Sequence, residues 1–121
     1  MTIGEKDLLF KDLCARLPYG VIVNVNGFDY DYNDKLTQIY NGYGCSIQVT
    51  TNMPYDIEQV KPYLFPLSSM TEEQNKEWLY TLSSDYHITY DTVDWCYKNH
   101  FDINNLIPMG LAIDATNLNI Y

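Results

Sequence analysis

The chain has 121 residues, 46% hydrophobic and 15% aromatic, with 16 acidic side chains against 7 basic ones, a formal net charge of −9 and a pI near 4.3. That length fits one domain, 1–121, and the aromatic content excludes an intrinsically disordered segment. With Arg16 the sole arginine, direct binding to nucleic acid is disfavoured, because that affinity comes from Lys and Arg neutralising phosphates. An acidic, aromatic surface suits a basic protein partner, although acidity for solubility alone produces the same balance.

Thr2 stands three residues before Glu5, the spacing of a capping box, and Leu9, Leu13 and Leu17 recur every four residues with Cys14 beside them. They predict a helix over about residues 4–17, stopped by Pro18. "GVIVNVNG", β-branched and bounded by Gly20 and Gly27, reads as a strand. "KLTQIY" at 35–40 and "YGCSIQVT" at 43–50 read as two more, joined at Asn41-Gly42, a pair that tolerates the positive φ of a tight hairpin turn.

The stretch "KPYLFPLSSMTEEQ" at 61–74 holds two prolines four apart and leads at once into a helix, which argues against a polyproline ligand. Its prolines fix an extended approach in which Leu64 or Phe65 and Leu67 staple a helix over about residues 70–82. Ser69 with Glu72, or Thr71 with Gln74, closes its capping box, and Trp78 and Leu82 share a face. "DYHITY" offers a short strand at 86–90. A third helix follows, with Val93, Cys96, Tyr97 and His100 at helical spacing and Asp91 as cap. "DINNLIPMGLAIDA" suggests a short helical turn ending at a left-handed Gly110, then an extended tail with Leu111 and Ile113 facing inward. The expected architecture is α+β: a three-stranded antiparallel meander packed against about three helices, in the order α-β-β-β-α-α.

Cys14, Cys45 and Cys96 are odd in number and far apart, so they read as small buried hydrophobes in a reducing compartment. No apolar leader or long apolar run is present, so a soluble, cytoplasmic chain is expected. "DYDYND" at 29–34 has the start of a calcium loop, but Asp34 stands where glycine is needed and Tyr40 where a bidentate Glu is needed. No metal is expected there. Its aspartates alternate with Phe28, Tyr30 and Tyr32, so an extended loop would be anionic on one side and aromatic on the other. That makes Asp29, Tyr30, Asp31, Tyr32 and Asp34 the candidate partner-binding residues; half-buried strand tyrosines would give the same letters.

Catalytic parts are lacking. Ser68 and Ser69 have no glycine elbow, His87 and His100 no motif linking them to a nucleophile, and Cys96 with His100 makes only two ligands of a zinc site. Glu72, Glu73 and Glu77 fit the positive end of a helix dipole, and "GYGC" is a hairpin without the lysine of a phosphate loop. Neither an enzyme nor a cofactor is expected.

Three blocks carry a resemblance: "LLFKDLCARLPYGV" at 8–21, "VKPYLFPLSSMTEEQ" at 60–74 and "VDWCYKNHFDINNLIPMGLAI" at 93–113. In this order, over somewhat under half the chain, they resemble small proteins from anaerobic commensal bacteria, their phages and mobile elements, a group without an established activity. The sequence departs from that pattern at Cys96 and Pro108. The resemblance implies an accessory gene on phage or mobile DNA. Joined to the acidity, it makes the chain look like an anti-CRISPR protein, an inhibitor whose partner is a basic host protein such as a CRISPR-associated nuclease with its guide RNA. The competing expectation is a regulatory or structural module of the mobile element with an unrelated protein partner.

Overall fold

The computed structural model of the protein describes residues 1–27, 31–40, 47–50 and 54–121. Among them lie three helices, α1 (Ile3–Arg16), α2 (Glu72–Thr81) and α3 (Tyr90–Lys98). Six strands accompany them: β1 (Ile22–Asn26), β2 (Asp31–Ile39), β3 (Ile47–Val49), β4 (Pro54–Tyr55), β5 (Val60–Leu64) and β6 (Ile113–Asp114). The class is α+β, as expected. The antiparallel meander β1-β2-β3 is only part of a six-stranded sheet, ordered β4-β3-β2-β1-β5-β6, in which the pairing of β5 with β6 alone is parallel.

The start of α1 follows from its capping box: the Thr2 hydroxyl accepts from the Glu5 N–H at 3.1 Å, and the Glu5 carboxylate accepts from the Thr2 N–H at 2.9 Å. Leu9 and Leu13 are fully buried against the sheet, each worth about 2 kcal/mol of transfer free energy. Beyond Arg16 the chain tightens into a 3-10 turn at Leu17–Tyr19, and Gly20, at φ 68°, supplies the left-handed step that turns it into β1. Cys14 is exposed rather than buried, because it sits beside the Leu9–Leu13 stripe and not on it; Cys96 is buried as expected, and Cys45 lies outside the described residues.

Val23 and Val25 of β1, Leu36 of β2, Ile47 and Val49 of β3 and Val60 and Leu64 of β5 meet Leu9, Leu13, Leu106 and Leu111 in one core cluster. Strand β2 begins at Asp31, earlier than the expected 35, because Asp31–Asp34 continue the ladder opposite Asn26–Val23. Pairing overrides the turn preference of Asp and Asn. A register shift between Leu36 and Gln38 opposite β3 bulges the strand. The expected Asn41-Gly42 turn lies outside the described residues.

The proline-bracketed stretch is itself a strand. Pro62 is buried in β5 opposite Val23, and Leu64 is in the core, whereas Leu67, expected as part of a staple, is exposed. Of the two possible caps, Thr71 starts α2, with Gln74 completing its box. No strand forms at 86–90, and the cap of α3 is Thr89 with Thr92, not Asp91. Helix α3 ends in a Schellman motif: the Phe101 N–H reaches the Cys96 carbonyl at 2.8 Å and the His100 N–H the Tyr97 carbonyl at 3.2 Å. His100 takes the left-handed position, φ 64°, that glycine usually holds. The same bonding recurs at Leu106–Leu111 around Gly110, φ 75°, so the expected helical turn is a hydrogen-bonded turn with the expected glycine. Leu111 is buried and Ile113 half-buried in β6. Among the described residues no helix is long and apolar enough to cross a membrane.

Candidate partner-binding surface

Within 31–34 exposure alternates, with Asp31 and Asn33 exposed and Tyr32 and Asp34 half-buried on the same face. Tyr32 lies opposite buried Val25, packs against the core and shares a hydrogen bond with the Tyr55 hydroxyl, their rings edge to face at 6.2 Å. Asp34 is half-buried opposite Val23, and its carboxylate accepts from the Lys35 N–H at 2.8 Å. Asp31 is exposed, and Asn33, between them, accepts from the Tyr63 hydroxyl at 2.8 Å. Asp29 and Tyr30 lie outside the described residues.

Among the described residues the most exposed aromatic side chains lie on the hairpin made by α2, α3 and their connection. Tyr80 is 90% exposed, Tyr86 78%, Ile88 64% and Tyr90 81%. Exposed Glu77, Asp85 and Asp91 stand one to three residues from these side chains in the chain. The display is held, not loose. The Thr81 carbonyl accepts from the hydroxyls of Thr89 at 2.8 Å and Thr92 at 3.0 Å, and Ser83 accepts through its side chain from the His87 N–H at 3.0 Å. Tyr86 itself sits at φ 61°, a conformation disfavoured for a bulky side chain. The sequence signal was the two-residue alternation of Tyr86, Ile88 and Tyr90, which reads as a strand; in the fold these residues form the exposed connection into α3, with Tyr90 its first helical residue.

Beside the hairpin, between α1 and α3, runs a shallow groove of about 290 Å³ lined by Cys14, Pro18, Tyr19, Tyr90, Asp94 and Tyr97 among others. Tyr19 donates to Asp94 Oδ1. That bond, with desolvation behind it, raises the Tyr19 pKa, so the hydroxyl keeps its proton and Asp94 stays the acceptor. Desolvation likewise raises the Cys14 thiol, a poor nucleophile in consequence.

Behind the groove lies a buried polar cluster. Arg16 and Asp12 are both fully buried and paired at 2.7 Å, and Arg16 Nη2 also donates to the Phe101 carbonyl at 2.7 Å. Asn104 donates to Asp12 at 2.8 Å and to the Tyr97 hydroxyl at 3.0 Å. Arg16 Nη1 and His100 Nδ1 are the buried side-chain polar atoms without a partner among the described residues. Burial, with the Arg16 charge adding to it, pushes His100 down to about 4, so the ring is neutral at pH 7 and stacks on Tyr121 at 3.8 Å. His87 is exposed, and Cys96 and His100 belong to the end of one helix. No group of three or more His, Cys, Asp or Glu placed to hold a metal ion occurs among the described residues.

Comparison with protein-family models, with curated proteins and with solved structures finds no match for this chain.

Proposed function

We propose that the protein is a non-enzymatic acidic inhibitor, anti-CRISPR-like, that docks on the basic RNA- or DNA-handling channel of a host nuclease complex. The observation that supports this reading is the hairpin surface, where Tyr80, Tyr86, Ile88 and Tyr90 stand exposed beside Glu77, Asp85 and Asp91. Clustered apolar side chains rimmed by charge are typical of contact surfaces, and tyrosine supplies contact area at low entropic cost. Electrostatics point the same way. The ion pairs Arg16–Asp12, Lys6–Glu58 and Lys11–Asp7 each take up one charge of either sign, so the excess of 16 acidic over 7 basic side chains stands. The outward field is therefore anionic. It steers the protein to a Lys/Arg-lined groove, and the tyrosines hold it once water is excluded.

The test is capture from host lysate on immobilised protein, with and without nuclease treatment and at two salt concentrations, followed by a cleavage assay on the purified retained complex. The reading expects a nucleic-acid-handling protein that is held at low salt, survives nuclease treatment, and loses cleavage activity in proportion to added inhibitor. Replacing Tyr80, Tyr86 and Ile88 by Ser should reduce both capture and inhibition at least tenfold. Retention of no such protein at low salt, or full inhibition by the triple variant, would sink it; a retained partner unrelated to nucleic acid would favour the regulatory module instead.

A further inference from the structure

The groove between α1 and α3 has a composition that surface acidity does not explain. Tyr19, Tyr90 and Tyr97 supply aromatic walls, and Asp94 is the one carboxylate among the lining side chains. Faces of aromatic rings attract cations through the ring quadrupole, and a carboxylate adds a charge-assisted hydrogen bond. Tyr97 already serves as such a platform within the fold, since the buried Arg16 guanidinium lies 4.9 Å from its ring centroid. Asp12, paired with that internal charge at 2.7 Å, offsets part of its repulsion towards a second cation in the groove. Tyr19 occupies only Oδ1 of Asp94, and Oδ2 has no hydrogen bond or ion pair among the described residues. At about 290 Å³ the groove falls just below the range of drug-sized sites, which begins near 300 Å³, and suits a single long side chain.

We propose that this groove is a cation pocket that takes the guanidinium of an arginine on the basic partner, stacked against Tyr90 and Tyr97 and hydrogen-bonded to Asp94 Oδ2. Arginine fits better than lysine because its flat, weakly hydrated head stacks on rings and donates several N–H groups at once. The identity of the partner rests on the protein-binding reading above, whereas the chemistry of the pocket stands by itself. Tyr90, 81% exposed at the edge of the hairpin, belongs to both the groove and the docking face, so an arginine seated here would anchor the wider contact.

The pocket is tested on the intact protein with Nα-acetyl-arginine amide as probe and the citrulline analogue, equal in shape but uncharged, as its control. Tyrosine-ring NMR shifts should report saturable binding of the arginine compound in the millimolar range, as expected for so small a ligand, with no saturation by the citrulline compound. Alkylation of Cys14, which lines the groove, should slow in step. Asp94→Asn should weaken binding about tenfold, and Tyr90→Ala, at a side chain too exposed to matter for folding, severalfold. Equal shifts from both probes, or unchanged arginine binding in both variants, would overturn the pocket. Partner capture that survives Asp94→Asn and Tyr90→Ala would place the partner elsewhere on the protein and overturn the anchoring role, leaving the inhibitor reading intact. Arginine binding without any basic partner retained from lysate would do the reverse.

Discussion

Asp12 and Arg16 stand one helical turn apart with neither side chain reaching water, and Arg16 keeps one buried nitrogen without a partner. A buried pair of this kind adds little net stability, but removing one member strands the other charge. Asp12→Ala should therefore lower stability by about 3–5 kcal/mol, and Asp12→Ala combined with Arg16→Met should recover much of that loss, both read from urea midpoints. The i,i+4 spacing is visible in the sequence. Its burial is not, because that depends on the Phe101 carbonyl and Asn104 arriving from 85 and 92 residues away. His100 makes a second prediction at this scale. Its pKa falls from 6.5 in the free residue to about 4 in the fold, so the unfolded chain takes up a proton that the native one refuses. The stability this represents is present above pH 6.5 and is lost as pH falls towards 4. His100→Asn keeps a residue suited to the left-handed backbone and removes the titration. Between pH 7 and 4.5 the wild type should lose about 1–2 kcal/mol more than the variant, allowing for partial solvent screening.

Among the elements, the hairpin carries the clearest conflict between stability and display. Tyr86 is held at φ 61° while its side chain stays 78% exposed, so the fold gains little packing in return for the strain. Tyr86→Gly should leave the melting midpoint unchanged or raise stability by up to about 1 kcal/mol, while capture of a basic partner weakens. A fall in stability on this substitution would show instead that the ring supports the fold. Helix starts were legible where a hydroxyl and a Glu or Gln stand three apart, at Thr2 and Thr71, because a cap is a local event. Thr89 escaped notice because its box is closed by Thr92, outside the usual pattern. Strand β5 was hidden by Pro62, which lacks the N–H of a ladder residue. The sheet accepts it because β6 pairs only from Tyr63 onward, leaving β5 an edge strand at Pro62. At Tyr32 the alternating letters fix a face but not which face, and only the pairing of Val25 with Tyr32 decides that this ring turns inward.

For the whole molecule, a formal charge of −9 on 121 residues makes association with a basic partner a matter of ionic strength. Screening shortens the reach of these charges to about 10 Å at 0.1 M salt. The association rate should fall steeply between 50 and 300 mM salt while the dissociation rate, set by the tyrosine contacts, changes little. Asp85→Asn with Asp91→Asn should flatten that salt dependence in stopped-flow or surface-binding kinetics while lowering stability by no more than about 1 kcal/mol, since Asp91 lies in the first turn of α3. The acidity was legible from composition alone. Which face it serves was not, because exposure along the hairpin is set by the fold and the groove is assembled from α1 and α3, which meet only in the folded chain.

Tyr121 stacks on His100, and its hydroxyl accepts from the Ile22 N–H at 3.0 Å and donates to the Tyr63 carbonyl at 2.8 Å. It thereby spans β1 and β5 just past the directly paired residues Val23 and Pro62. Amide protons report the opening that exposes them, so the Ile22 amide should exchange with solvent whenever the tail lifts, well before the sheet itself unfolds. In Tyr121→Phe that amide should exchange faster by an order of magnitude while the Val25 amide, deeper in the ladder, keeps the rate of global unfolding. One hydroxyl would then set the boundary between the part of β1 that breathes and the part that does not.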